Sequence, residues 1–398
     1  PVVSLQTRGS TTEILDGSSS SEINIQYSHE DPFKLVQQCL DKSWGGSSEP
    51  RHTNGFCGGA VGYWGYELGG RIETLPTPKP HDIELPDMHV GIYDCGITFN
   101  SVTNQLTLVG QQQRFHEFEA LLVSTLKDIK DASLSLNKDK FSLASKWQAN
   151  MTKKEYAAKF STVQEHLAAG DCYQINLAQR FSAQYLGNEW FAYLALRDSN
   201  KAPFSSFIRL DNGAVLSLSP ERFLHVCANQ VETKPIKGTR PRSADHALDA
   251  AAAEDLKHAT KDRAENLMIV DLLRNDLSKV AKPGTVKVPK LFEIESYPAV
   301  HHLVSTVTAE LKSSSTAIDL LRGAFPGGSI TGAPKISAMK VIHNLEPHPR
   351  SVYCGAIGYI LPNGDMDTNI TIRTLVCNKG TIYCWAGGGL VADSVMAS

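Results

Sequence analysis

The chain has 398 residues, 41% of them hydrophobic and 20% charged, with a formal net charge of −3. That supplies one large core or two ordinary ones without staples, and the scattered Lys and Arg leave no footprint for nucleic acid. No apolar run reaches the roughly 18 residues of a membrane span and no basic start followed by an apolar stretch marks a signal peptide, although a start at Pro1 rather than Met is in keeping with a natural beginning further upstream. The eight cysteines form no CxxC pair and have no His at metal-ligand spacing. This argues against zinc and a disulfide framework and for a reducing cytoplasm.

In chain order, the polar stretches at 17–21 and 45–54 read as surface loops around a helix over 32–40. The glycine-rich segment 55–70 suits strands whose backbones pack closely. Its Gly55-Phe56-Cys57-Gly58-Gly59 formally matches a glutaminase nucleophile elbow, but Val61 stands where Gln is usual and no His-x-Glu pair follows. The polar connector 134–148 is the best boundary, dividing the chain into 1–146 and 147–398. Thr152 and Glu155 form a capping-box signature for a helix that Gly170 stops. Strands are expected at 207–210, 214–218, 222–226 and 231–236, and one long helix through 251–277. Short strands with segregated helices favour an α+β fold.

Three segments carry titratable groups in suggestive places. PIKGTRPR (235–242) delivers Lys237 from an apolar strand into a turn fenced by Pro and Gly. A lysine there is ordinarily a solvated charge; as a nucleophile it must be neutral, and Arg240 and Arg242 are the neighbours expected to push its pKa down. Glu221 lies sixteen residues earlier in a hairpin-like arrangement, so the two side chains can face one cleft. Asp262 and Glu265 sit three apart on the expected helix and project from one face, either as ion-paired surface groups or toward a hard divalent cation. FPGGSITGAPK (325–335) precedes a helical pattern, where freed N–H groups at a helix entrance favour anions.

PIKGTRPR resembles the hallmark of the chorismate-utilising enzymes, and lysine at its third position resembles the aminodeoxychorismate branch, since anthranilate synthases carry Ala there. The likeness extends through GDCYQINLAQRF (170–181), LSPERF (218–223), KDRAENLMIVDLLRND (261–276), PAVHHLVSTV (298–307), FPGGSITGAPK, CGAIGY (354–359), DTNITIRTL (367–375) and AGGGLVADS (386–394). It implies one α+β body of two packed antiparallel sheets with outer helices and a chorismate cleft between the sheets.

The resemblance also implies roles. Lys237 is the covalent nucleophile and Glu221 the general acid, while Glu265, helped by Asp262, holds Mg²⁺. Gly238, Thr239, His302, Ser329, Tyr353, Arg373, Gly387 and Gly389 are implied substrate contacts. Gln174 stands where the water-adding isochorismate and salicylate synthases hold a lysine base, which argues for ammonia as nucleophile, supplied by a separate glutamine amidotransferase subunit. Anthranilate synthase component I and an inactive chorismate-binding homologue are the rival readings. The inactive homologue draws on the C-terminus: the family continues past Ser394 into a glutamate-rich helix with a second metal carboxylate, where this sequence ends Val395-Met396-Ala397-Ser398.

Overall fold

The computed structural model describes residues 1–17, 23–45, 55–110, 112–132 and 140–396; most of the loop expected at 17–21, nearly all of that at 45–54 and part of the connector 134–148 lie outside them. Local signals set several boundaries. The helix Pro32–Trp44 starts with Pro at its first turn and Asp31 accepting from the Phe33 and Lys34 N–H groups. In Lys153–Ala168 the Thr152 and Glu155 capping box is formed as expected.

Among the described residues, a twelve-stranded antiparallel sheet runs in the order Ile236–Pro241, Val300–Glu310, Gln230–Thr233, Arg222–Cys227, Met366–Ile370, Ala356–Ile360, Gly59–Trp64, Met88–Tyr93, Val3–Arg8, Thr11–Asp16 and Asn24–Ser28. Lys287–Ser296 adds to Val300–Glu310. Strands from both ends of the chain thus share one sheet. Close approach explains its glycines: a Cβ on Gly62 would lie 2.0 Å from the His89 carbonyl oxygen. The second sheet has eight strands in the order Phe204–Leu210, Gly213–Ser219, Thr374–Asn378, Thr381–Leu390, Gln174–Leu186 and Gly332–Ala333, with Ser142–Leu143 and Gln148–Ala149 also on Gln174–Leu186. Leu5, Val90, Val226, Val307 and Ile370 of the first sheet join Val215, Val376, Ala178 and Trp385 of the second in one apolar cluster, so the sheets pack face to face.

Two expectations fail near the centre. The single helix over 251–277 is two, His246–His258 and Thr260–Ser278, broken at Ala259, whose ψ of 102° is extended. No Gly or Pro marks the break. Packing imposes it: Leu256 is buried beside Gly238, while Asn266 is tied to the Leu303 carbonyl and the Ser305 hydroxyl. The turn expected in PIKGTRPR is instead a bulged strand. Ile236 pairs with Val304 but Thr239 with His302, three steps against two, and Gly238 absorbs the extra residue at φ +81°.

Candidate active site

The hairpin Arg222–Cys227 to Gln230–Thr233 pairs Cys227 with Gln230, Val226 with Val231 and His225 with Glu232. Continued downward, the ladder brings Glu221 opposite Ile236, whose N–H is bonded to the Glu221 carboxyl. The Glu221 backbone is pinned by Ile370, which donates to its carbonyl at 3.1 Å, and by the Ser219 hydroxyl at 3.2 Å. Its side chain is 6% exposed. Burial raises its pKa above the ordinary carboxylate range, against the opposing pull of Lys237, the Ser329 hydroxyl and the Ile236 N–H.

Lys237 emerges from the bulge and donates from Nζ to the Ser329 carbonyl at 3.0 Å. Its charge bears on Glu221 and also on Glu265. Glu265, on the helix Thr260–Ser278, is likewise raised by burial first; Lys237 and Lys261 oppose this and Asp262 and Asp393 add to it. Its carboxylate makes no hydrogen bond or ion pair among the described residues. Asp262 differs, since Arg240 pairs with it at 3.3 Å and it packs on Gly238. Arg240 is also bound to Asp255 at 2.7 Å and Arg242 to Asp249 at 2.8 Å. The expectation that these arginines press on Lys237 is therefore corrected, because carboxylates meet both of them.

The next strand carries His302, whose Nδ1 lies 2.9 Å from the Thr239 hydroxyl. Burial, then the nearby Arg373 charge, lower its pKa and favour neutral imidazole at neutral pH; Glu295 and the Gly238 backbone pull the other way. Arg373 lies in a bend between Met366–Ile370 and Thr374–Asn378, at φ +50°. Alternation within DTNITIRTL would have made it a strand residue. Lifted out of the ladder, its exposed guanidinium makes no ion pair among the described residues.

Ser329 sits on the short turn Gly328–Ile330, where a Cβ on Gly328 would be 2.4 Å from Leu272. The turn offers Lys237 a carbonyl, and the following helix, Lys335–Leu345, has no side-chain cap. Across the cleft, Gln174, Asn176 and Ala178 alternate with Ile175 and Leu177, which pack outward under Ala338 and Ile342. The inward residues pair with Ala333, Gly389 and Gly387, in that order. A Cβ on Gly389 would come within 2.1 Å of Gln174 Nε2. Gln174 is fully buried with neither amide atom bonded. Tyr353 is buried, stacked on Trp385 with ring centroids 5.7 Å apart, and the Arg350 guanidinium lies 5.9 Å from its ring. Cys57 is buried.

A family model described as chorismate binding enzyme matches residues 5–398. The chain belongs to the chorismate-binding enzymes. It is 48% identical over 396 residues to aminodeoxychorismate synthase component 1 of Escherichia coli (strain K12), spanning 99% of this chain and 84% of that protein. Identity to the protein of the same name from Klebsiella aerogenes is 50% over 401 residues, with 100% and 85% covered. The solved structure of anthranilate synthase component I from Streptococcus pneumoniae TIGR4 superposes with a TM-score of 0.82 at 29% identity, over 99% of this chain and 86% of that one. The two packed antiparallel sheets with outer helices are therefore the family architecture.

Sequence reasoning missed the support of this cleft. Arg350, 1% exposed, pairs with Glu346 at 2.6 and 2.9 Å and donates to the Ile330 carbonyl at 2.9 Å and the Asn176 carbonyl at 2.7 Å. It thus ties the Ser329 turn to the Gln174 strand. The i, i+4 spacing of Glu346 and Arg350 is the one available signal, and it falls beyond a helix end, where such spacing carries no weight.

Proposed function

We propose that the chain is an aminodeoxychorismate synthase, converting chorismate and ammonia to 4-amino-4-deoxychorismate for 4-aminobenzoate and folate biosynthesis. The observation that carries this reading is the Lys237 amine, held on the Ser329 carbonyl, whose charge acts on a buried carboxyl with a raised pKa. A carboxyl kept protonated near neutral pH is what a general acid requires. In the first step the Lys237 nitrogen bonds to C2, the two conjugated ring double bonds each shift one position, from C1=C2 and C5=C6 to C6=C1 and C4=C5, and the C4–O bond breaks, with Glu221 protonating the oxygen, which leaves as water. Ammonia then bonds to C4, both double bonds shift back and Lys237 departs from C2 as the neutral amine; a proton from the new C4 ammonium restores Glu221. Two modest barriers replace one high one.

Arg373 grips a substrate carboxylate through parallel N–H donors, and Gly238, Thr239 and neutral His302 form the wall beside the ring. Gly387 and Gly389 present bare backbone, and Tyr353 holds their strand through Trp385. Gln174 cannot deprotonate water, which favours ammonia over the hydration chemistry of isochorismate formation. Mg²⁺ fits Glu265, a half-buried carboxylate with unmet acceptors, and Asp262 helps from its place beside Arg240. Among the described residues no cluster of three or more acidic, His or Cys side chains could hold a metal, in keeping with a cation that takes one or two protein carboxylates and completes its shell with substrate and water. Bound there, the ion supplies positive charge against a chorismate carboxylate. A separate glutaminase subunit supplies the ammonia, and a cytoplasmic location suits eight unpaired cysteines. No helix among the described residues is long and apolar enough to cross a membrane.

The test is product analysis with chorismate and ammonium chloride, with and without Mg²⁺. Magnesium-dependent 4-amino-4-deoxychorismate supports the reading. Anthranilate or isochorismate would move the chain to another branch, and chorismate binding without turnover would mark an inactive homologue.

A further inference from the structure

Two polar side chains that the proposed chemistry does not use lie between the elements that carry Lys237 and Glu265. Asn266 and Ser305 are both fully buried. The Ser305 hydroxyl donates to Asn266 Oδ1 at 2.5 Å and accepts from the Phe292 N–H at 3.1 Å, while Asn266 Nδ2 donates to the Leu303 carbonyl at 3.4 Å. The Ser305 N–H donates to the Pro235 carbonyl at 3.3 Å. One serine thus bonds through its backbone just ahead of Lys237 and through its side chain to the residue next to Glu265.

The ladder alone cannot fix this region, because the strand Val300–Glu310 meets a bulge on each side of Ser305. Ile236 and Thr239 pair with Val304 and His302, and Lys290 and Glu293 pair with Thr306 and Val304, three steps against two each time. Phe292, at φ +58°, lies in the second bulge, and its ring is 4.7 Å from the Arg263 guanidinium on the helix of Glu265. A hydrogen-bonded pair adds little net stability over an apolar pair of the same shape; what it adds is a fixed geometry. Neighbouring helical residues point about 100° apart, so holding Asn266 by both of its amide atoms fixes the rotation of Thr260–Ser278 and with it the direction of Glu265. That helix has no side-chain cap at its start, and the Glu265 carboxylate makes no hydrogen bond or ion pair among the described residues. The ion pairs of Lys261 with Asp393 and of Asp262 with Arg240 reach solvent, which weakens them.

We propose that Asn266 and Ser305 are positioning residues that set Glu265 against Lys237, so that the metal carboxylate and the nucleophile meet one substrate. The proposal rests on the reading that Glu265 takes Mg²⁺. Each of the two side chains acts through the backbone of its own segment and touches neither the ion nor the reacting ring.

The experiment titrates Mg²⁺ alone into the whole chain by calorimetry and measures amination with ammonium chloride, for wild type, Ser305→Ala, Asn266→Ala and the double variant. Val307→Ala is the control, a truncation of a fully buried core residue in the strand of Ser305. The expected result is a Mg²⁺ affinity lowered about tenfold in either single variant, as loss of a support behind a metal ligand implies. The KM for ammonium should stay within about twofold, and the double variant should lose no more affinity than the weaker-binding single one, because the two residues act as a unit. The control should lower the melting temperature and leave Mg²⁺ affinity as in wild type. Folded variants with unchanged Mg²⁺ affinity overturn the proposal and leave the pair as core packing. A control that loses as much affinity does so too, because it marks general loosening, and so do losses in the double variant that multiply. If Asn266→Ala fails to fold, Ser305→Ala and the control decide. A wild type that binds no Mg²⁺ removes the metal reading itself, and the positioning role with it; that outcome is distinct from an affinity that does not move.

Discussion

Gly238→Ala tests whether the bulge is what aims Lys237. At φ +81° an L-residue is strained, at a cost of about 1–2 kcal/mol. The new Cβ would also stand 2.8 Å from Asp262 Cγ and from Leu256 Cδ1, and 2.9 Å from Asp262 Cβ. Neither neighbour yields freely: Leu256 is wholly buried, and Asp262 is held by Arg240. Overpacking of this kind costs about 1–3 kcal/mol. Together these make a loss of roughly 2–5 kcal/mol, a large fraction of the 5–15 kcal/mol that holds typical folds together. If the strand relaxes instead, the extra residue shifts and Lys237 moves with it, and a displacement near 1 Å costs on the order of a hundredfold in rate. Thermal unfolding and amination rate are measured on the same preparation. Either the melting temperature falls by several degrees or the rate collapses; a variant unchanged in both would refute the bulge as the device that places the lysine.

Glu221→Gln should cut amination by about 10²–10⁴-fold, the usual contribution of a positioned acid. It should also shift stability in a pH-dependent way. Because burial raises the folded pKa above the unfolded value, wild-type stability is lost as pH rises from the ordinary carboxylate range through the folded pKa. The melting temperature of the glutamine variant should therefore gain on wild type as pH rises above the ordinary carboxylate range, about pH 4, and a difference that stays flat would contradict the raised pKa. Arg373→Ala should raise the chorismate KM roughly tenfold to a hundredfold, as loss of a charge-assisted bond worth about 1.5–3 kcal/mol implies, with no change in melting temperature for an exposed bend residue. Arg350→Met leaves Glu346 buried without its cation, so denaturant unfolding should show a loss of about 3–5 kcal/mol.

The readable parts of this molecule were those set by local chemistry. Thr152 and Glu155 cap their helix because three residues suffice to make both bonds, and the sixteen-residue spacing of Glu221 and Lys237 works because a two-residue connection after Cys227 fixes the hairpin register. The break at Ala259 was not readable, since 251–277 contains no helix breaker and the change of direction follows from Leu256 and Asn266 meeting different partners. Pro235 and Gly238 in PIKGTRPR suggest a turn, and only pairing with Val300–Glu310 turns the same glycine into a bulge. Arg373 looked like one more alternating strand residue until its left-handed backbone lifted it from the ladder. Arg350 joins segments nearly two hundred residues apart in sequence, a link that no local window contains.

The most direct measurement is the rate of 4-amino-4-deoxychorismate formation by Lys237→Ala at saturating ammonium and Mg²⁺. The account predicts a fall of roughly a thousandfold or more, about 4 kcal/mol of lost transition-state stabilisation, in a protein that still folds and binds chorismate. Turnover at the wild-type rate would show that no bond to this lysine lies on the path.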